Sequence, residues 1–118
     1  MTRPRSTLEQ QFHEEMLQIY EAAKRLKPPY HAPRFLRMVN EHGGKDAADR
    51  LLATGEPSEG FTQLFMRGPE NLRLSVEYLV LQSSWRELFT DEQLATARSR
   101  LEEYECDLPP DAEEGDTA

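Results

Sequence analysis

The side chains best suited to chemistry in this chain are its three histidines, because an imidazole can bind a metal ion or transfer a proton near neutral pH. His13 is followed by two glutamates, but a metalloprotease helix needs a second histidine four residues later, and position 17 is Leu17. His31 lies in a proline-rich segment. His42 precedes Gly43-Gly44, where it suits the negative end of a helix. We therefore predict structural or surface histidines, with no catalytic residue, no metal site and no cofactor.

The glycine-rich segment His42–Lys45 does not match a phosphate-binding loop. It lacks the spacing G-x-x-x-x-G-K-[ST], and it follows a predicted helix rather than a strand. A helix end accounts for it, so we predict that Gly43 or Gly44 has a positive φ. A helix-turn-helix interpretation is disfavoured, because the segment that would read bases, Ser58–Met66, has no basic side chain.

A cluster of basic side chains lies between residues 24 and 40, a stretch without an acidic residue. We refer to it as the basic cluster; its members are Lys24, Arg25, Lys27, Arg34 and Arg37. With the interleaved aromatic residues, such a cluster could contact phosphates or stack on a base. The alternative is that these are ordinary charges at a helix end and on a solvated face, which we favour.

Three aromatic residues are candidate anchors for a protein partner: Phe65, Tyr78 and Trp85. Tyrosine and tryptophan dominate the energetics of many protein interfaces. Ordinary packing inside the protein is the competing interpretation of each, and it is the commoner role for an aromatic side chain.

Charge is distributed unevenly along the chain, whose formal net charge is −8. Residues 102–118 carry eight carboxylates and no lysine or arginine, so the first 101 residues are balanced, with 14 acidic and 14 basic side chains. Mutual repulsion and scarce apolar surface predict that residues 105–118 form a disordered acidic tail. The basic cluster is its predicted electrostatic partner, and a regulatory and a purely solubilising tail both stay open.

Apolar residues recur at steps of three and four along most of the first 104 residues, which predicts helices. Capping boxes are predicted at Thr7–Gln10, Ser84–Glu87 and Thr90–Gln93. Residues 71–82 fit either a strand or a helix, and their helical neighbours favour a helix.

These signals predict an all-α protein, formed by a single compact bundle of six to seven short helices over residues 7–104. A common core is predicted for Phe12, Ile19, Phe35, Leu51, Phe61, Leu79 and Leu94. No apolar run approaches the roughly 18 residues of a membrane span, and no secretory signal is recognised. The single cysteine, Cys106, cannot form an internal disulfide, which is typical of a cytoplasmic protein.

Two stretches of the sequence resemble a small bacterial all-α domain of unassigned function. The first reads F-x-x-M-V-x-x-H-G-G from Phe35, followed by G-F-x-x-L from Gly60. The second reads L-F-T-x-x-x-L-x-x-A-x-x-R-L from Leu88, preceded by Leu74-x-Val76-Glu77. The resemblance covers residues 7–104 and implies a helical fold that occurs alone or attached to larger proteins. It implies no site residues.

These observations predict a small non-enzymatic, cytoplasmic protein that acts as a protein–protein interaction or accessory module. The alternative is a nucleic-acid-associated regulator that uses the basic cluster at residues 24–37. An enzyme ranks third, and a concave pocket that joins His42 to Glu41 or Glu77 would favour it. A protein partner is expected and a membrane is not, while the oligomeric state stays open.

Overall fold

The first and longest helix forms around a single apolar stripe. The computed structural model describes residues 5–110, with side chains from residue 7 onward, and α1 runs from Arg5 to Lys24. Leu8, Phe12 and Met16 recur every four residues on its buried face. The predicted capping box at Thr7–Gln10 is wrong, because the helix begins at Arg5 and Thr7 already lies inside it.

Five further α-helices and two 3-10 helices follow in the described part of the chain, which contains no strand. The α-helices are α2 (Pro33–His42), α3 (Gly44–Ala53), α4 (Glu59–Met66), α5 (Val76–Val80) and α6 (Asp91–Glu103). The 3-10 helices are Pro69–Leu74 and Arg86–Leu88. The prediction of an all-α bundle of short helices is confirmed. Within residues 5–110, none of the helices has both the length and the apolarity needed to cross a membrane.

Side-chain caps fix several of these helix starts. The Ser58 hydroxyl accepts a hydrogen bond from the Phe61 backbone N–H at 3.2 Å, and the capping box predicted at Thr90–Gln93 is confirmed with both of its bonds present. The Gln93 amide also donates to Asp49 of α3 at 2.9 Å, so this cap connects two helices. The capping box predicted at Ser84–Glu87 is wrong, since the 3-10 helix there has no side-chain cap.

The ambiguous stretch, residues 71–82, is helical but interrupted at Ser75. The Ser75 hydroxyl donates to the Leu72 carbonyl at 2.6 Å and accepts from the Tyr78 N–H at 3.2 Å. One buried serine therefore ends the first 3-10 helix and begins α5. The alternation of Leu72, Leu74 and Val76 that resembled a strand spans this junction.

The core agrees in part with the predicted set. Phe12, Phe61 and Leu79 are buried, whereas the other four members are half-buried and pack against the core. These four are Ile19, Phe35, Leu51 and Leu94. The buried Phe12 ring contacts Trp85 and Phe89 edge to face, with ring centroids 5.6 and 5.4 Å away. The first helix is thus fixed against the segment that precedes α6.

The chain continues along the body beyond Tyr104, where the tail was predicted to begin. Glu105 has a φ of 58°, and the Cys106 N–H donates to the Leu101 carbonyl at 2.9 Å. Cys106 and Leu108 then pack against the core, and Pro109 is buried. Burial of Cys106 raises the pKa of its thiol. Residues 105–110 therefore contact the helical domain, and the rest of the predicted tail, 111–118, lies outside the described residues.

The corner between α2 and α3 depends on two glycines with different roles. Gly43 has a φ of 83°, as predicted, and its N–H donates to the Val39 carbonyl at 2.9 Å. Gly44 is buried against α1, and its N–H donates to Nδ1 of His13 at 2.9 Å. A β-carbon on Gly44 would lie only 2.6 Å from the His13 α-carbon, whereas one on Gly43 would meet no atom within 4 Å.

We therefore expect Gly43→Ala and Gly44→Ala to destabilise the protein for different reasons. Gly43→Ala forces an alanine into a conformation reserved for glycine, at a cost of about 1–3 kcal/mol. Gly44→Ala must separate α3 from the α1 backbone, which costs about as much through overpacking and also weakens the bond to His13. Urea unfolding of both variants measures these costs. Gly55→Ala is the control, because Gly55 has ordinary φ and open space around it. Equal stability of all three variants would contradict this description of the corner.

Candidate functional site

Two of the three histidines line a polar cleft in which several side chains already pair with one another, whereas His31 is exposed elsewhere. His13 and His42 line it together with Lys45, Asp46 and Asp49. Lys45 Nζ lies 2.7 Å from the Asp49 carboxylate, and His42 Nδ1 lies 3.8 Å from Asp46. Neither Glu41 nor Glu77 lines this cleft, so the pocket that would favour an enzyme is not formed there. The described residues contain no group of three or more potential ligands placed to hold a metal ion.

A second concavity is apolar and lies where α1, α2, α4 and the start of α5 converge. We call it the apolar groove; its lining includes Ile19, Tyr20, Ala23, Tyr30, Ala32, Phe35, Leu51, Ser58, Gly60, Phe61, Leu64, Leu74, Ser75, Val76 and Glu77. The open space within it amounts to about 40 Å³. An ordered water needs roughly 10–15 Å³ of such space and several polar partners. The groove has room for a few waters but offers them few hydrogen bonds.

The polar groups at the floor of the groove are occupied by internal partners. Glu77 is buried, and its Oε2 accepts a hydrogen bond from Arg100 Nη1 of α6 at 3.0 Å. Burial raises the pKa of the Glu77 carboxyl, while its backbone hydrogen bond and the Arg100 guanidinium act against this rise. Ser75 is used as a helix cap. The floor therefore presents mainly apolar atoms to an incoming group.

The Arg100 guanidinium connects three helices. In addition to Glu77 it donates to the Leu51 carbonyl at 3.0 Å, and to the carbonyl and hydroxyl of Thr54 directly after α3. All its contacts lie within the fold, so Arg100 and Glu77 form a structural pair rather than a reactive one. The end of α3, the start of α5 and the last turn of α6 are held by this one side chain.

Three cations surround the apolar groove. Lys24 Nζ lies 5.0 Å from the centre of the Tyr20 ring, and the Arg67 guanidinium lies 5.2 Å from the centre of the Tyr30 ring. Arg34 lies near the lining residue Tyr30, where its charge acts to lower the pKa of the phenol, and it pairs with Glu59, which precedes the lining residue Gly60. We call these three the rim cations: Lys24, Arg34 and Arg67. They come from α1, α2 and the residue that ends α4.

Arg67 also fixes the loop that carries Tyr30. Its guanidinium donates to the carbonyls of Pro28 at 2.6 Å and Pro29 at 3.3 Å, and to the Gln63 side chain at 2.7 Å. None of these partners is a carboxylate, so they leave its positive charge uncompensated. Burial and the nearby Glu59 raise the pKa of the Tyr30 phenol, whereas Arg67 and Arg34 act to lower it.

The five residues of the basic cluster have different surroundings. Lys24 pairs with Glu21 at 3.2 Å, and Arg34 pairs with Glu59 of α4 at 3.6 Å. Arg25 lines a separate groove beside Arg73, which itself pairs with Asp107. Asp107, which belongs to the predicted acidic tail, therefore pairs with Arg73 rather than with the basic cluster. Lys27 and Arg37 are exposed. Arg37 lies about 200° around α2 from the lining residue Phe35, so it is farther from Phe35 than Arg34, which lies about 100° away.

The three predicted aromatic anchors are all half-buried and packed against the core. The Phe65 ring lies 5.0 Å from Tyr104 and the Trp85 ring 5.6 Å from Phe12, while Tyr78 packs on the core as the third. Of the described large apolar side chains, Met66 is the one that is exposed, at 72%. The predicted anchors thus contribute to internal packing, and none of them lines the apolar groove.

Sequence reasoning missed the residues that shape the groove. Nothing in the local sequence around Tyr20 and Tyr30 indicates that they share a groove. Gly60 and Arg67 carry no local signal of this role, because their effect depends on contacts with residues 28–30, which lie 30 to 39 positions earlier in the chain. No protein-family model, curated protein or solved structure matches the chain. The resemblance to a bacterial helical domain stays a prediction.

We expect Arg100→Met alone to destabilise the protein by about 3–5 kcal/mol, because it leaves the Glu77 carboxyl buried without its partner. The double variant Glu77→Leu/Arg100→Met is expected to lie within about 2 kcal/mol of the wild type, since apolar groups can replace a buried ion pair. A double-mutant cycle by urea unfolding measures the coupling. The control is Arg50→Met, whose exposed pair with Asp46 is expected to contribute less than about 1 kcal/mol. Additive effects of the two buried substitutions would contradict the pairing.

Proposed function

We propose that this chain is a non-enzymatic protein–protein interaction module of the cytoplasm, and that the apolar groove receives an apolar side chain of its partner. The observation that supports this most directly is the groove itself. It is lined by aliphatic and aromatic residues from five α-helices, the first 3-10 helix and their connections, and the polar groups of Glu77 and Ser75 have internal partners. Water in such a space makes few hydrogen bonds, so its replacement by an apolar group is favourable.

The size of the groove favours a side chain over a free small molecule. Typical small-molecule sites enclose about 300–1,000 Å³, and a drug-sized ligand is mostly buried in them. The open space here, about 40 Å³, suits the end of one side chain whose backbone lies outside. Binding modes of this kind place one anchor in a pocket and let surrounding contacts exclude water.

The nucleic-acid alternative has less support from the geometry. Phosphate binding is strengthened when several cations act on one surface, but the basic cluster is divided among different neighbours. Arg25 lines a separate groove beside Arg73, and Arg37 lies about 200° around α2 from the groove residue Phe35. The alternative keeps a distinct experimental signature, because nucleic-acid binding would depend on Lys27 and Arg37 rather than on the apolar lining.

Gly60 provides a variant that closes the groove without disturbing the fold. A β-carbon at this position would lie 3.6 Å from the Ser58 hydroxyl and 4.0 Å from the Tyr30 ring, both ordinary contact distances. Gly60 lies in the first turn of α4 and has an ordinary φ, so a larger residue is compatible with the helix. A leucine side chain there would extend into the space beside Tyr30.

We expect Gly60→Leu to retain or slightly raise the melting temperature, since glycine is about 1 kcal/mol less favourable than alanine in a helix, and to abolish partner binding. Affinity capture from the native host with nuclease-treated lysate, followed by titration of the purified partner, measures this. The matched control is Gly55→Leu, an exposed glycine that does not line the groove. A partner that binds Gly60→Leu as well as wild type would refute the proposed site. Binding lost only in Lys27→Glu or Arg37→Glu, and only when nucleic acid is present, would favour the alternative.

A further inference from the structure

The charges around the apolar groove are arranged for a particular kind of partner. Lys24, Arg34 and Arg67 approach it from three different elements, so a segment that crosses the groove meets positive charge on more than one side. Resting on the function proposed above, we infer that the partner segment is acidic: it places one large apolar side chain in the groove and carries carboxylates on both sides of that anchor.

The rim cations are available to such carboxylates. The pair between Arg34 and Glu59 is long, 3.6 Å, and its side chains are 89% and 62% exposed. The pair between Lys24 and Glu21 is a local contact within one helix and is also partly exposed. Pairs of this type contribute little to stability, because water solvates the separated charges almost as well. A partner carboxylate can therefore replace Glu59 or Glu21 at small cost.

Arg67 gives the rim a charge that the fold leaves uncompensated. Its hydrogen-bond partners are two proline carbonyls and Gln63, all neutral, and its guanidinium is held over the Tyr30 ring. These bonds fix the position of the cation without neutralising it. An anionic group near Tyr30 thus gains from a preorganised charge and does not have to order a flexible side chain.

Like charges in the partner would be disfavoured at the same positions. A basic segment would be repelled by the three rim cations, and the carboxylates of Glu21, Glu59 and Glu77 near the groove are already paired with cations of the protein. Such repulsion selects against wrong partners at least as strongly as attraction selects the right one. The apolar lining therefore defines the anchor, and the rim cations define the charge of its flanks.

Peptide selection separates this inference from the function on which it rests. A random-peptide phage library is selected against the full chain and counter-selected against Gly60→Leu. We expect groove-dependent sequences to contain one large apolar residue with aspartate or glutamate on each side. A synthetic peptide of the selected consensus should bind roughly five- to tenfold more weakly to the double variant Lys24→Glu/Arg34→Glu. Its affinity should also fall as salt is added.

Arg37→Glu is the matched control, because it reverses a charge on the same helix as Arg34 but farther from the lining residue Phe35, and it should change the affinity much less. Groove-dependent peptides with neutral or basic flanks would overturn the inference and leave the interaction module intact. Failure to obtain any peptide that distinguishes wild type from Gly60→Leu would overturn both. Self-association of the wild type that Gly60→Leu abolishes, measured by sedimentation, would show that a second copy occupies the groove and would also overturn the inference.

Discussion

The buried contact between Arg100 and Glu77 is the interaction on which the arrangement of this small domain depends. A guanidinium and a carboxylate leave water at high cost, and the cost is recovered only when every donor and acceptor finds a partner. Arg100 meets this condition by binding Glu77 and the backbone at the end of α3. The described residues contain no fully buried side-chain polar atom without a partner. The pair is satisfied in the arrangement that the three helices adopt, so we expect it to act on the specificity of that arrangement more than on net stability.

The same pair shapes the apolar groove. Because Glu77 faces Arg100, its carboxylate does not offer a free charge to the groove, and the space above it remains apolar. Tyr30, at the opposite side, depends on Arg67 in a similar way, since that guanidinium holds the loop through two proline carbonyls that have no helical partner. Two arginines therefore act on residues that line the groove: the buried Arg100 pairs with Glu77, and Arg67 lies over the Tyr30 ring. Their roles differ because only the buried one has a carboxylate partner.

Local features of the sequence predict the helices well. Helical periodicity and short-range caps depend on residues within four positions, which is why the capping box at Thr90–Gln93 and the positive φ at Gly43 are confirmed. The false capping box at Thr7–Gln10 has the same local pattern, but the preceding residues extend α1 upstream and leave the hydroxyl inside the helix. A four-residue pattern does not contain that information.

Long-range contacts explain what the sequence does not reveal. Glu77 and Arg100 belong to the resemblance pattern, yet their types alone do not indicate that they meet across 23 residues. The groove combines Tyr20, Tyr30 and Gly60 from three separate segments, and it exists only after these have packed. The candidate aromatic anchors do not line the groove. Phe65 and Trp85 instead contact other aromatic rings inside the domain. The type of an aromatic residue indicates that it can form large contacts. Whether those contacts are with the core or with a partner depends on the tertiary packing.

The cap at the start of α6 also has a consequence for how the domain assembles. Gln93 uses its amide oxygen to accept the Thr90 N–H and its amide nitrogen to donate to Asp49, which is at the same time bound by Lys45. Capping of an isolated helix is normally a local event that can occur before the helix docks. Here the side chain that completes the cap is oriented by a residue 44 positions earlier in the chain. Nucleation of the last helix and its docking on the third are thereby coupled, so the C-terminal part of the domain gains its order in concert with the N-terminal half.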